Sequence, residues 1–96
     1  MTLEQTVKLM TSDNYKDRFI AEYWQTKIRY ERLKDLNTKI EAAHEVNSHC
    51  LGRIMEEPKH DCPESMLRHQ QSVMGEYLRV LEVRAAVEGI DLKEAK

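Results

Sequence analysis

Residues 61–89, DCPESMLRHQQSVMGEYLRVLEVRAAVEG, carry a helix start at one end, a helix stop at the other and no proline after Pro63. Asp61 is an N-cap residue type, Pro63 falls near N1 or N2, and Glu64 brings an acid to N3. At the far end Gly89 can take the left-handed C′ conformation and Ile90 can fold back on the last turn. The spacing predicts a helix over about residues 62–88. In its second half, YLRVLEVRAAVEGI (77–90), apolar residues cover most of the helical circumference, and only Arg79, Glu82, Arg84 and Glu88 are charged. A helix apolar nearly all round is buried on more than one side, which a single antiparallel neighbour cannot achieve. The expectation is a homo-oligomeric helical bundle with Tyr77, Leu78, Leu81 and Ala85 at the interface between copies.

Upstream, Pro58 forbids a helix from running through and Gly52 offers an earlier stop, so the preceding helix ends between about 47 and 57. It begins at about Tyr15, after the turn-favouring TSDN of residues 11–14. A 4-3 spacing runs through Phe19, Tyr23, Thr26, Tyr30, Leu33, Asn37, Ile40 and His44, the seam of a coiled-coil-like helix. Ile20, Trp24 and Ile28 lie beside that seam and imply a second contact surface. Thr2 and Gln5 have capping-box spacing and start a short helix over about 3–10 with Leu3, Val7 and Met10 on one side. The fold class is therefore all-α: a short N-terminal helix plus a long antiparallel helical hairpin, with helices at about 3–10, 14–50 and 62–88 in a single domain over 1–96.

Composition narrows the function. Of 96 residues, 41% are apolar and 33% charged, with three Gly and two Pro. A chain of this length buries only about 60–65% of its unfolded surface, so self-association would supply missing burial. The net charge of −2 provides no global basic field for duplex DNA or RNA. The N-terminal MTLEQTVKLM lacks the pattern of a signal peptide and no run approaches a membrane span, which points to the cytoplasm. Two cysteines in such a chain read as free thiols, although Cys50 and Cys62 both lie near the predicted turn.

His44, His49, Cys50, His60, Cys62 and His69 include zinc-type donors, but their spacing departs from C-x2-4-C and H-x3-5-H pairs, so no metal and no cofactor is expected. Cys62 near a helix start lacks the oxyanion loop or Gly-rich elbow of a nucleophile, so catalysis is not expected either. The constellation that suggests binding is YKDRFIAEYWQTKIRYER (15–32), which interleaves aromatic residues with Lys and Arg. Aromatic faces stack on bases and cations hold phosphates. The competing reading is a core stripe with a solvated face, Asp17, Glu22 and Glu31 pairing with the cations at helical spacing.

Two segments, DNYKDRFIAEYWQTKIRYERL (13–33) and CPESMLRHQQSVMGEYLRVLEVRAAVEGIDL (62–92), resemble a family of short helical-hairpin proteins of phages and prophages. The shared features are a Tyr- and Arg-bearing helix start, a Cys-Pro helix start, and a Tyr-Leu…Leu-Glu-x-Arg-Ala…Glu-Gly-Ile ending. Residues 34–61 carry no such likeness. The resemblance implies a role against host defence in an infected bacterium. At the level of fold the chain is also similar to phage sponges that sequester the cyclic nucleotides of CBASS and Thoeris systems, which are helical-hairpin oligomers holding ligand at subunit junctions. That likeness implies Tyr15 as the stacking residue and Lys16, Arg18 or Lys27 as phosphate contacts; the aromatic and basic cluster of residues 15–32 adds Tyr23 to the candidate ligand-binding set. The partners it implies are further copies of the chain and a cyclic nucleotide. A protein-binding inhibitor of a host defence effector, of anti-CRISPR type, and a structural dimer without ligand are the other readings.

Overall fold

The computed structural model describes residues 1–49 and 51–93, and the regular structure among them is entirely helical, with no strand. Three helices follow in order: α1 Thr6–Met10, α2 Tyr15–Ser48 and α3 Glu64–Glu88. The molecule measures 55 × 25 × 24 Å, and its long dimension is essentially the length of α2 at about 1.5 Å per residue.

Each boundary has a local cause. The capping box forms: Thr2 N–H donates to Gln5 Oε1 at 2.9 Å and Gln5 N–H donates to Thr2 Oγ1 at 3.2 Å. The regular turns begin only at Thr6, whose hydroxyl donates to Leu3 O at 2.6 Å. Asn14 caps α2, its Oδ1 accepting from Lys16 N–H at 2.9 Å. Gly89 sits at φ 69° as anticipated, with Ile90 N–H donating to Ala85 O at 2.8 Å and the Ile90 side chain buried. The start of α3 differs from expectation. Pro63 is extended at ψ 142° and occupies the cap position without a side-chain bond, so the helix begins at Glu64 rather than 62 and Asp61 does not cap it. The Cys62 carbonyl accepts from His60 Nδ1 at 2.7 Å instead.

The antiparallel hairpin buries a 4-3 seam on α3 that runs through Leu67, Gln71, Met74, Leu78, Leu81 and Ala85. Across from it lie Phe19, Tyr23, Asn37 and Ile40 of the seam anticipated on α2, with Tyr30 and Leu33 half-buried. The last anticipated position, His44, is exposed, and Ala43 and Val46 take its place. A straight helix drifts by about 20° per heptad relative to a strict 3.5-residue repeat, which carries the buried stripe off the predicted line. The main cluster comprises Phe19, Tyr23, Leu78, Leu81, Ala85 and Ile90, with Ile20, Trp24, Tyr30 and Leu92 packed against it. Ile20 and Trp24, anticipated as a second contact surface on α2, pack against this cluster and the segment after α3; α1 packs on α2 elsewhere, with Thr6 fully buried and Gln25 Nε2 donating to its hydroxyl at 3.1 Å.

Asn47 clamps the start of the connection after α2. Asn47 Nδ2 donates to Met55 O and Asn47 Oδ1 accepts from Met55 N–H, both at 3.0 Å. Cys62 is a free, half-buried thiol; Cys50, and with it any pairing of the two cysteines, lies outside the described residues.

Leu81 is 1% exposed at the centre of the main cluster, so Leu81→Ala is expected to cost about 3 kcal/mol in urea unfolding. Gly89→Ala, placing a Cβ at a left-handed φ, is expected to cost about 1 kcal/mol in the same measurement.

Candidate functional site

The start of α2 and the end of α3 meet because the hairpin is antiparallel, and a groove of about 420 Å³ opens where α1 packs beside them. It is lined by Met10, Tyr15, Arg18, Phe19, Glu22, Gln25 and Arg84. Its volume falls in the range of small-molecule pockets, about 300–1,000 Å³.

Tyr15 forms the rim. Its hydroxyl donates to Glu88 Oε1 at 2.9 Å and accepts from Arg84 Nη2. Its ring leans on Phe19, with centroids 6.2 Å apart at 57°. The Glu88 carboxylate, which accepts the phenolic proton, holds Tyr15 above the ordinary tyrosine range, while the neighbouring Arg84 charge opposes that shift. Arg84 is itself prearranged, its guanidinium 4.9 Å above the Phe19 ring and paired with Glu88 Oε2 at 3.1 Å. Arg18 donates Nη1 to Ser12 O at 2.7 Å. It meets no carboxylate at ion-pair distance among the described residues. The groove therefore offers one exposed aromatic ring, Tyr15, backed by the buried Phe19, and two guanidinium groups, one of them without a paired acid.

Of the five residues anticipated from sequence, Tyr15 and Arg18 line this groove. Lys16 is exposed on the adjoining turn and does not line it. Tyr23 and Lys27 belong to a different cluster. Burial raises the Tyr23 phenol, whose hydroxyl donates to Glu82 Oε2 at 3.1 Å. Lys27 pairs with Glu31 at 3.0 Å, and that hydrogen bond raises its amine above the usual lysine range. Arg84 was missed because it lies 69 residues from Tyr15 in the chain. The only signal available was its place as one of the few charges in the apolar second half of α3.

The anticipated interface residues divide as well. Leu78, Leu81 and Ala85 are buried against α2 within one chain, so they are not available to a second copy. Tyr77 remains exposed, together with Met66, Val73, Val80, Val83 and Val87. Val73, Tyr77, Val80, Arg84 and Val87 repeat the 4-3 spacing one residue out of phase with the buried seam, about 100° around the helix.

A family model described as Sequestin matches residues 13–87, which span both resembling segments up to the end of α3 and the connection between them. No curated protein and no solved structure matches the chain. Among the described residues no helix is long and apolar enough to cross a membrane.

The Tyr15 assignment can be checked by titration. Glu88→Gln is expected to lower the Tyr15 midpoint and Arg84→Ala to raise it, read from the Tyr15 Cζ resonance in NMR.

Proposed function

The chain belongs to the Sequestin family, and from that premise we propose that it is a binding protein, not a catalyst, which sequesters a cyclic-nucleotide immune signal on behalf of a phage. The observation that carries the reading is the pairing of an exposed aromatic ring with guanidinium groups around one groove: Tyr15, supported from behind by Phe19, with Arg18 and Arg84. A base needs a π-face and a phosphate needs cations, and nucleotide recognition combines the two. Phosphate would take Arg84 from Glu88, exchanging one carboxylate partner for another anion, while Arg18 brings charge not yet neutralised by an acid. The family name itself denotes holding a molecule rather than transforming it.

Arg84 belongs both to the groove and to the second 4-3 series. A second copy docked along Val73, Tyr77, Val80 and Val87 would bury the apolar residues left exposed by the hairpin and wall the groove at its Arg84 edge. That arrangement puts ligand at a junction between copies and gives the exposed valines a use. The small net charge of −2 offers little long-range repulsion to self-association. The setting would be the cytoplasm of an infected bacterium.

A panel of cyclic di- and trinucleotides and cyclic ADP-ribose tests the proposal by thermal unfolding. At least one member is expected to raise the melting temperature, with about 2.7 kcal/mol of stabilisation at a hundredfold excess over Kd. Tyr15→Ala and Arg84→Ala should abolish the shift. A panel without any shift sinks the nucleotide reading; pull-down of a host protein by the same inert sample would favour the inhibitor class. Val80→Asp is expected to convert the oligomer to a monomer in sedimentation velocity, and a wild-type chain that is already monomeric at high concentration would remove the junction.

A further inference from the structure

The bend end of the hairpin, about 40 Å along α2 from the groove, gathers side chains that were expected to be bystanders. His44 Nε2 lies 2.6 Å from Glu57 Oε1, and His44 Nδ1 lies 3.4 Å from Glu64 Oε2. His60 Nε2 is 3.6 Å from the same Glu57 oxygen. The donor atoms of His44, Glu57 and Glu64 all fall within 4.8 Å of one another. Three separate pieces of chain supply them: the last turns of α2, the connection, and the first residue of α3.

Two hydrogen bonds orient the imidazoles. The Cys62 carbonyl can only accept, so at 2.7 Å it takes a proton from His60 Nδ1 and leaves Nε2 as the nitrogen directed at Glu57. Glu64 stands in the same relation to His44, its Oε2 facing Nδ1 while Nε2 faces Glu57. A ring nitrogen fixed by a carbonyl or carboxylate on its far side is the usual outer partner of a histidine metal ligand. Each imidazole thus turns its Nε2 toward one shared carboxylate oxygen. Ligand atoms on a tetrahedral zinc ion, at bonds of about 2.0–2.2 Å, stand about 3.4 Å apart. The separations from Glu57, 2.6 Å to His44 and 3.6 Å to His60, bracket that distance, and the His60 ring has to swing toward His44 to close the set, since the donors already within 4.8 Å of one another are those of His44, Glu57 and Glu64.

We propose that His44 Nε2, His60 Nε2 and the Glu57 carboxylate form a divalent transition-metal site of the zinc class, with Glu64 orienting His44 and solvent completing the shell. Borderline nitrogen donors with one hard carboxylate suit zinc over calcium or magnesium, which take oxygen ligands. The ion displaces the protons that otherwise lie between these groups and replaces weak, exposed pairs by bonds that tie the end of α2 and the connection to the start of α3. Its role is structural: it closes the bend. The site does not depend on the nucleotide reading, since its ligands lie at the opposite end of the molecule.

The test uses the full chain with Zn2+ in calorimetry and Co2+ in visible absorption. One equivalent is expected to bind, Co2+ giving the d–d bands of a four-coordinate nitrogen and oxygen shell, and Zn2+ raising the melting temperature. His44→Ala and Glu57→Gln should each abolish binding, and Glu64→Gln should weaken it about tenfold as an outer partner. His69→Ala, on the exposed face of α3 outside the cluster, should leave it unchanged. Circular dichroism verifies that the variants keep their helix content. No bound equivalent in the wild-type chain, or binding unaltered in Glu57→Gln, overturns the proposal. A thiolate charge-transfer band in the Co2+ form would do the same, because it puts cysteine in the shell.

Discussion

The hairpin's register depends on one buried amide. A 4-3 seam of apolar residues looks alike after a slip of seven positions, so apolar packing alone leaves two long helices free to slide. Asn37, only 6% exposed, breaks that equivalence by donating Nδ2 to Leu67 O at 3.2 Å and to Gln71 Oε1 at 2.8 Å. Its Oδ1 is buried without a partner, a desolvation cost accepted for a unique alignment. With α2 and α3 pinned there, Tyr15 meets Arg84 and Glu88 at one end and His44 meets Glu64 at the other. A slip of one heptad would separate both pairs by about 10 Å.

Much of this was legible in the sequence because it is local. Thr2 and Gln5, three residues apart, dictate a reciprocal cap; Asn14 dictates another; Gly89 and Ile90 dictate the reversal that ends α3. The seam through Leu78, Leu81 and Ala85 follows from spacing. What spacing cannot say is which neighbour a seam faces, and so residues assigned to a second copy turned out to pack within one chain. The exposed series one position away carries the surplus apolar surface instead. Asp61 failed as a cap for a similar reason: the residue type was right, but the His60 imidazole, two positions before Cys62, organises the turn around that carbonyl.

The candidate groove divides along the same line. Tyr15 and Arg18 lie one turn apart on a single helix and could be found together by reading along it. Arg84 joins them only through the antiparallel pairing, and Lys16, adjacent in sequence, turns away. Tyr23 and Lys27 satisfy one another's neighbourhood through Glu82 and Glu31, which uses up the charge that made them candidates. A helical protein with few loops thus builds a binding surface at a helix junction, where side chains from three elements converge without any segment being irregular.

The indole of Trp24 lends itself to a different use. It is the chain's single tryptophan, and its Nε1–H donates to Leu92 O at 3.1 Å, strapping the segment after Gly89 onto the start of α2. The ring also stands edge-on to Tyr23, with centroids 5.5 Å apart at 86°. One chromophore therefore senses the closure of the C-terminal segment, the packing of the main cluster and the neighbourhood of the groove together. The fold carries its own fluorescent reporter, placed at the end where helices meet and far from the bend, so the two ends of the molecule can be followed as separate events.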